Sequence, residues 1–164
     1  MKIENAKVYD LPKKIYCDMD GVLADFEGKR NALKRFKNEK GFFQKLKPFK
    51  SSLQAIKRLI DLNYDVHILS ASPNDQADQD KRKWLERYLP EIDPQKIILC
   101  RLGDNKADYA DTKNSLLIDD YTHNLIQWRA NGGQVLKYVN KRDSEFGKHI
   151  KEYITHTKDL REVL

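Results

Sequence analysis

The chain has 164 residues, 40% of them hydrophobic and 34% charged, with a formal net charge of +6. That length and apolar content suit one domain, residues 1–164, with a sizeable core. No apolar run is long enough to cross a bilayer, the first residues lack a signal-peptide core, and two cysteines exclude a disulfide framework. Cys17 and Cys100 read as small core residues in a reducing compartment, so a cytoplasmic protein with no membrane partner is expected.

Lys14–Cys17 predicts a short strand, with Lys7–Tyr9 as a preceding one. It ends in Asp18-Met19-Asp20-Gly21-Val22. An extended Asp18-Met19-Asp20 aims both carboxylates the same way, and a turn at Gly21 brings them over one reacting group. Such a pair can serve as nucleophile and proton donor, or hold a metal ion through oxygen. A solvated acidic turn is the plainer alternative.

Residues 29 to 47 are helical in composition, with two small helices expected at Asn31–Asn38 and Phe42–Leu46 and a stop before Pro48. Between Lys29 and Lys50 stand nine basic residues and one acid, Glu39, so this stretch carries +8 and the rest of the chain −2 (6 − 8). It is either a solvated face or an electropositive surface that gathers a phosphorylated ligand. Phe36, Phe42, Phe43, Leu46 and Phe49 pack it down on the core or stack on a base.

Ser51-Ser52-Leu53-Gln54 resembles a capping box, and Leu53, Ile56, Leu59 and Ile60 continue at helical spacing to about Asn63. Tyr64–Leu69 predicts a strand stopping at Ser70, then a polar loop from Ala71 to Gln79. A helix carrying Trp84, Leu85, Tyr88 and Leu89 on one face follows. Lys96–Cys100 and Ser115–Ile118 predict further strands, the second running into Asp119-Asp120. Thr122 to Ala130 predicts a helix stopped by Asn131-Gly132-Gly133. Gln134–Val139 predicts a strand, and Phe146, Ile150, Tyr153 and Ile154 a final helix.

Strands alternating with helices predict an α/β fold, a doubly wound parallel sheet. Ligands of such sheets bind outside the carboxyl ends of the strands. Asp18 and Asp20, Ser70, and Asp119 and Asp120 fall at those ends, and Lys106 lies in the loop after another. Two carboxylate dyads on neighbouring strand ends repel unless a cation sits between them. An all-oxygen site with few protein ligands suits Mg2+ better than calcium. Ser70 and Lys106 add a hydrogen bond and a positive charge suited to phosphoryl chemistry. Ser72 competes with Ser70, and Lys113 with Lys106. His67 reads as an interior histidine, and His123 stands nearer the rim.

The set Asp18-Met19-Asp20-Gly21-Val22, Ser70, Lys106 and Asp119-Asp120 resembles, in order, the four motifs of the haloacid dehalogenase superfamily of phosphohydrolases. Tyr16 to Phe26, Val66 to Ser70, Lys83-Trp84-Leu85 and Leu116 to Asp120 are most similar to its 5′(3′)-deoxyribonucleotidase-like branch, over roughly residues 13 to 140. The resemblance implies a Rossmann-like fold with a small helical cap insert at about residues 26–50. It implies a magnesium-dependent phosphomonoesterase acting on (deoxy)nucleoside monophosphates. By the same resemblance Asp18 is the nucleophile that becomes an aspartyl phosphate, and Asp20 the general acid, contacting the metal through its backbone carbonyl. Ser70, the Ala71 amide and Lys106 bind phosphate. Asp120 is the first choice of side-chain metal ligand and Asp119 its supporting carboxylate. Nucleic-acid ends or another phosphometabolite remain the alternative substrates. A non-catalytic nucleic-acid-binding module is the alternative of another class.

Overall fold

Four apolar strands, each reaching its carboxyl end beside a polar residue, organise the molecule. The computed structural model describes residues 11–140 and 155–164. The strand expected at Lys7–Tyr9 and the final helix around Phe146 to Ile154 lie outside the described residues.

Six strands form one sheet in the order β3-β2-β1-β4-β5-β6: β1 (Lys14–Cys17), β2 (Asp65–Ser72), β3 (Ile97–Arg101), β4 (Ser115–Asp119), β5 (Gln134–Tyr138) and β6 (Thr155–Thr157). Every pairing is parallel. Side chains alternate across the sheet: Ile15, Cys17, Ile68, Leu116 and Ile118 enter one apolar cluster, Tyr16, Leu69 and Leu117 the other. Both faces are therefore buried, as parallel sheets require.

The helices are α1 (Ala32–Arg35), α2 (Lys50–Asp61), α3 (Asp75–Tyr88) and α4 (Thr122–Ala130). From β1 the chain winds outward through β2 to β3, returns to β4 on the other side of β1, and winds on to β6. The crevice at this reversal, above the ends of β1, β2 and β4, is where open α/β sheets bind ligands.

Several boundaries differ from expectation. β2 continues past Leu69 through Ser72, because β3 pairs with it as far as Ser72 opposite Arg101. The polar loop from Ala71 to Gln79 is correspondingly short. α3 begins at Asp75, where the Asn74 side chain accepts from the Ala77 N–H at 3.0 Å and caps the helix. Ser51-Ser52 is not a cap: α2 starts at Lys50 behind Phe49, whose N–H donates to Leu23 O at 2.7 Å. In the insert, α1 is one turn long, and Phe43–Lys45 is a 3₁₀ turn.

That insert is tied down at both ends. Asp25 N–H donates to Lys47 O at 2.8 Å, and Ala24 bridges Pro48. Its outer end is fixed to α3, where buried Asp80 accepts from the Gly41 N–H (2.7 Å) and from Gln44 Nε2 (2.5 Å). Trp84 Nε1 donates to Leu46 O at 2.9 Å. Phe26, Phe36, Phe42 and Phe43 pack edge-on and stacked beneath it; Phe42, Phe43 and Leu46 are core, one of their two expected roles, and Phe36 is half-buried against them.

Candidate active site

Asp18 leaves β1 with its N–H on Ile118 O of β4 at 2.9 Å, which sets it level with the end of β4. The next residues turn tightly: the N–H groups of Leu23 and Ala24 both reach Met19 O at 2.9 Å, and Gly21 takes a φ of +79°. Gly21 answers two demands here, a left-handed backbone and close approach, since a Cβ would collide with Asp120 Oδ2.

Asp18, Asp20, Ser70, Ala71, Lys106 and Asp120 all line one cleft of about 420 Å³. Asp18 Oδ1 accepts from the Met19 N–H at 2.8 Å and lies 3.2 Å from Lys106 Nζ. Lys106 opens a 3₁₀ turn, Lys106–Tyr109, and donates to Asp119 Oδ2 at 2.7 Å. Burial works against its charge, but the Asp119 and Asp18 carboxylates outweigh that and hold the ammonium above lysine's usual range. Lys113, its rival in the sequence, is exposed and does not line the cleft.

The two members of the second dyad differ. Asp119 is fully buried and accepts three hydrogen bonds, from Lys106, from Tyr121 N–H (2.8 Å) and from Asn124 Nδ2 (3.0 Å). Burial raises its pKa, against the pull of Lys106. Asp120 lines the cleft instead, and its Oδ2 accepts from Asn140 Nδ2 at 2.7 Å. Asp18, Asp119 and Asp120 each bring one carboxylate oxygen within 4.8 Å of the others. Three buried carboxylates at that spacing, offset by one lysine, fit a hard divalent cation held by oxygen.

Asp20 stands across the cleft on its own cation. Lys81 of α3, fully buried, donates to Asp20 Oδ2 (2.6 Å), Ser70 Oγ (2.9 Å) and Ala71 O (2.6 Å), with its Nζ 4.6 Å from the Phe43 ring centroid. Asp20 Oδ1 is buried and accepts no hydrogen bond. Burial raises the pKa of Asp20; Lys81 opposes the shift and Asp18 adds to it. A carboxyl held towards its neutral form is a proton donor.

Ser70 lines the cleft, whereas Ser72 does not and donates to Asn74 O at 3.3 Å. His123 lines it, exposed; His67 does not, and stacks on Tyr16. Lys81, Lys137, Asn124 and Asn140 were not anticipated from the sequence. Lys137 of β5 is buried, with Nζ on Thr122 Oγ1 (2.6 Å) and Asp120 O (3.1 Å). A lysine at a strand position with apolar neighbours, in a sheet buried on both faces, is the signal that could have found it.

Comparison with known proteins gives the family. Residues 28–157 match the model of the family described as 5′ nucleotidase, deoxy (pyrimidine), cytosolic type C protein. The chain belongs to that family. A protein of Vibrio phage KVP40 with the provisional name 5′(3′)-deoxyribonucleotidase is 34% identical over 134 residues, 74% of each chain. The fold of this nucleotidase family member is that of haloacid dehalogenase superfamily proteins. L-2-haloacid dehalogenase from Xanthobacter autotrophicus superposes with a TM-score of 0.59 at 10% identity, over 88% of this chain and 85% of that one. D,D-heptose 1,7-bisphosphate phosphatase from B. bronchiseptica, complexed with magnesium and phosphate, gives 0.62 at 17% identity, over 92% and 94%. Family membership makes the chain a phosphoric monoester hydrolase of the 5′-nucleotidase type. Among the described residues, no helix is long and apolar enough to cross a membrane.

Proposed function

We propose that the chain hydrolyses (deoxy)nucleoside monophosphates with magnesium, through an aspartyl phosphate on Asp18. The observation that carries this is the pairing of two carboxyls with opposed environments in one cleft. Asp18 belongs to the carboxylate cluster and lies beside Lys106, while Asp20 carries a raised pKa across from it. A carboxyl paired with a lysine and carboxylates suits the nucleophile, and one held towards its neutral form suits the acid.

The Asp18 carboxylate attacks phosphorus, its orientation fixed by the Met19 N–H and Lys106. As the phosphorus–oxygen bond to the nucleoside breaks, Asp20 gives its proton to the departing oxygen. Asp20, now a carboxylate, takes a proton from water, which attacks the phosphorus of the aspartyl phosphate and frees Asp18 and inorganic phosphate. Ser70 Oγ, the Ala71 amide and the ammonium of Lys106 suit the equatorial phosphate oxygens, where negative charge is spread.

Asp18 and Asp120 would hold the magnesium with their side chains and Asp20 with its backbone carbonyl, Asp119 supporting from behind. The bound ion would offset the charge of Asp18 and phosphate as they meet. Residues 26–50 serve as a small cap on a single domain, Phe26, Phe36 and Phe43 walling the cleft beneath it. The two free, buried cysteines suit a cytoplasmic setting.

Phosphate release from a panel of nucleoside monophosphates, with magnesium and with chelator, tests the reading. Magnesium-dependent release that disappears in Asp18→Asn supports it. No release from any member by the folded protein overturns it.

A further inference from the structure

The cleft does not end at its apolar wall. A second groove of about 370 Å³ shares Phe26 and Leu33 with it and is lined beyond them by Lys29 and Lys34. Glu27 is the one carboxylate on that groove. Leu33 is 66% exposed on the ridge between the two spaces, and across the cleft mouth Leu102 and Tyr121 are exposed as well. Apolar surface left open on three separate segments around one mouth marks a contact site.

Among the described residues, the charge beyond the ridge is in excess of what ion pairs use. Glu39, the only acid from Lys29 to Lys50, is already paired with Arg35 (2.5 Å) and Lys45 (3.6 Å). Lys29, Arg30, Lys34, Lys37 and Lys40 enter no ion pair among the described residues. A single phosphate deep in the cleft already has Lys106. It has no use for cations on the far side of Leu33.

We infer that the groove beside the cleft binds the backbone of a nucleic-acid strand whose terminal phosphate enters the catalytic cleft. The terminal nucleoside lies against Leu33 and Tyr121, and the next phosphate crosses the ridge to Lys29 and Lys34. Base faces stack on such surfaces without regard to sequence, and phosphates meet the lysines. The inference rests on the phosphatase reading of the cleft and extends its substrates to phosphorylated strand ends.

The test separates the two readings. A short oligothymidylate with a terminal phosphate and a fluorophore at its other end is titrated with protein in EDTA, anisotropy reporting binding and unlabelled dTMP competing. Turnover of dTMP with magnesium is measured alongside. The oligonucleotide should bind more tightly than dTMP. Two phosphate contacts should make its affinity fall roughly sevenfold between about 50 and 200 mM salt. Lys29→Ala with Lys34→Ala should flatten that dependence and leave dTMP turnover unchanged. Binding no tighter than dTMP overturns the inference. So does an equal effect of the double variant on both ligands, which means only steering of small anions. Absence of dTMP turnover, by contrast, counts against the nucleotidase reading and leaves the binding result to decide this one.

Discussion

Lys81 Nζ lies 2.6 Å from Asp20 Oδ2, and the lysine has no exposed surface. The proposed acid thus has a cation of its own, separate from the one that serves Asp18. Lys81 also holds the Ser70 hydroxyl and the Ala71 carbonyl, so one ammonium sets acid and phosphate-binding loop relative to each other.

Lys81→Met should therefore do two things. It leaves a half-buried carboxyl without its partner, which should destabilise the fold by less than the roughly 3–5 kcal/mol of a fully buried pair. Lys81 also opposes the upward shift of Asp20. Without it the acid stays protonated to higher pH, so the alkaline limb of the kcat profile moves up while kcat falls. Urea unfolding and a pH–rate profile measure the two effects. An unmoved limb would show that Lys81 does not act on Asp20.

Gly21→Ala places a Cβ against Asp120 Oδ2 at a residue with a φ of +79°. The strained backbone alone costs about 1–3 kcal/mol. Displacement of Asp120 should raise the magnesium concentration needed for half-maximal activity. A thermal melt and a magnesium titration of activity check this, the second distinguishing a moved ligand from general destabilisation.

Asp80→Ala removes the acceptor that fixes the Gly41 amide and Gln44 to α3. Leaving these part-buried donors without an acceptor costs at most about 1–3 kcal/mol each. The insert should loosen, seen as faster tryptic cleavage within residues 29–50 and a higher KM with a smaller change in kcat. Unchanged cleavage would show that the aromatic packing holds the insert without Asp80.

Cys17 and Cys100 should resist thiol reagents in the folded protein. Burial pushes both thiols up, Asp18 adding to the shift at Cys17 and Lys106 opposing it at both. The reactive thiolate forms only above the raised pKa, so at mildly alkaline pH labelling should follow unfolding. Mass spectrometry after timed alkylation, with and without urea, measures it. Rapid labelling of the native protein would contradict this burial.

The sheet was legible because its strands are short apolar runs, each closed by a polar residue; strand Lys14–Cys17 and, among the helices, Thr122–Ala130 match the structure to the residue. Asp18, Asp20, Ser70, Lys106, Asp119 and Asp120 could be gathered because parallel strands deliver their carboxyl ends to one rim. β6 was not foreseen, since Thr155–Thr157 is three residues with no apolar run. Lys81 was hidden in Lys81-Arg82-Lys83, which reads as a solvated helical face. Only the packing of α3 against β2 and Phe43 turns that one lysine inward, and tertiary contact of this kind leaves no mark on local composition.

The most direct test of the account is to acid-quench the enzyme during turnover of a nucleoside monophosphate and map any phosphoryl group by peptide mass spectrometry. The account predicts one phosphoryl group on the peptide containing Asp18, released by hydroxylamine and absent in Asp18→Asn, which should also lack turnover. Full turnover by Asp18→Asn, or a phosphoryl group on another residue, would contradict it.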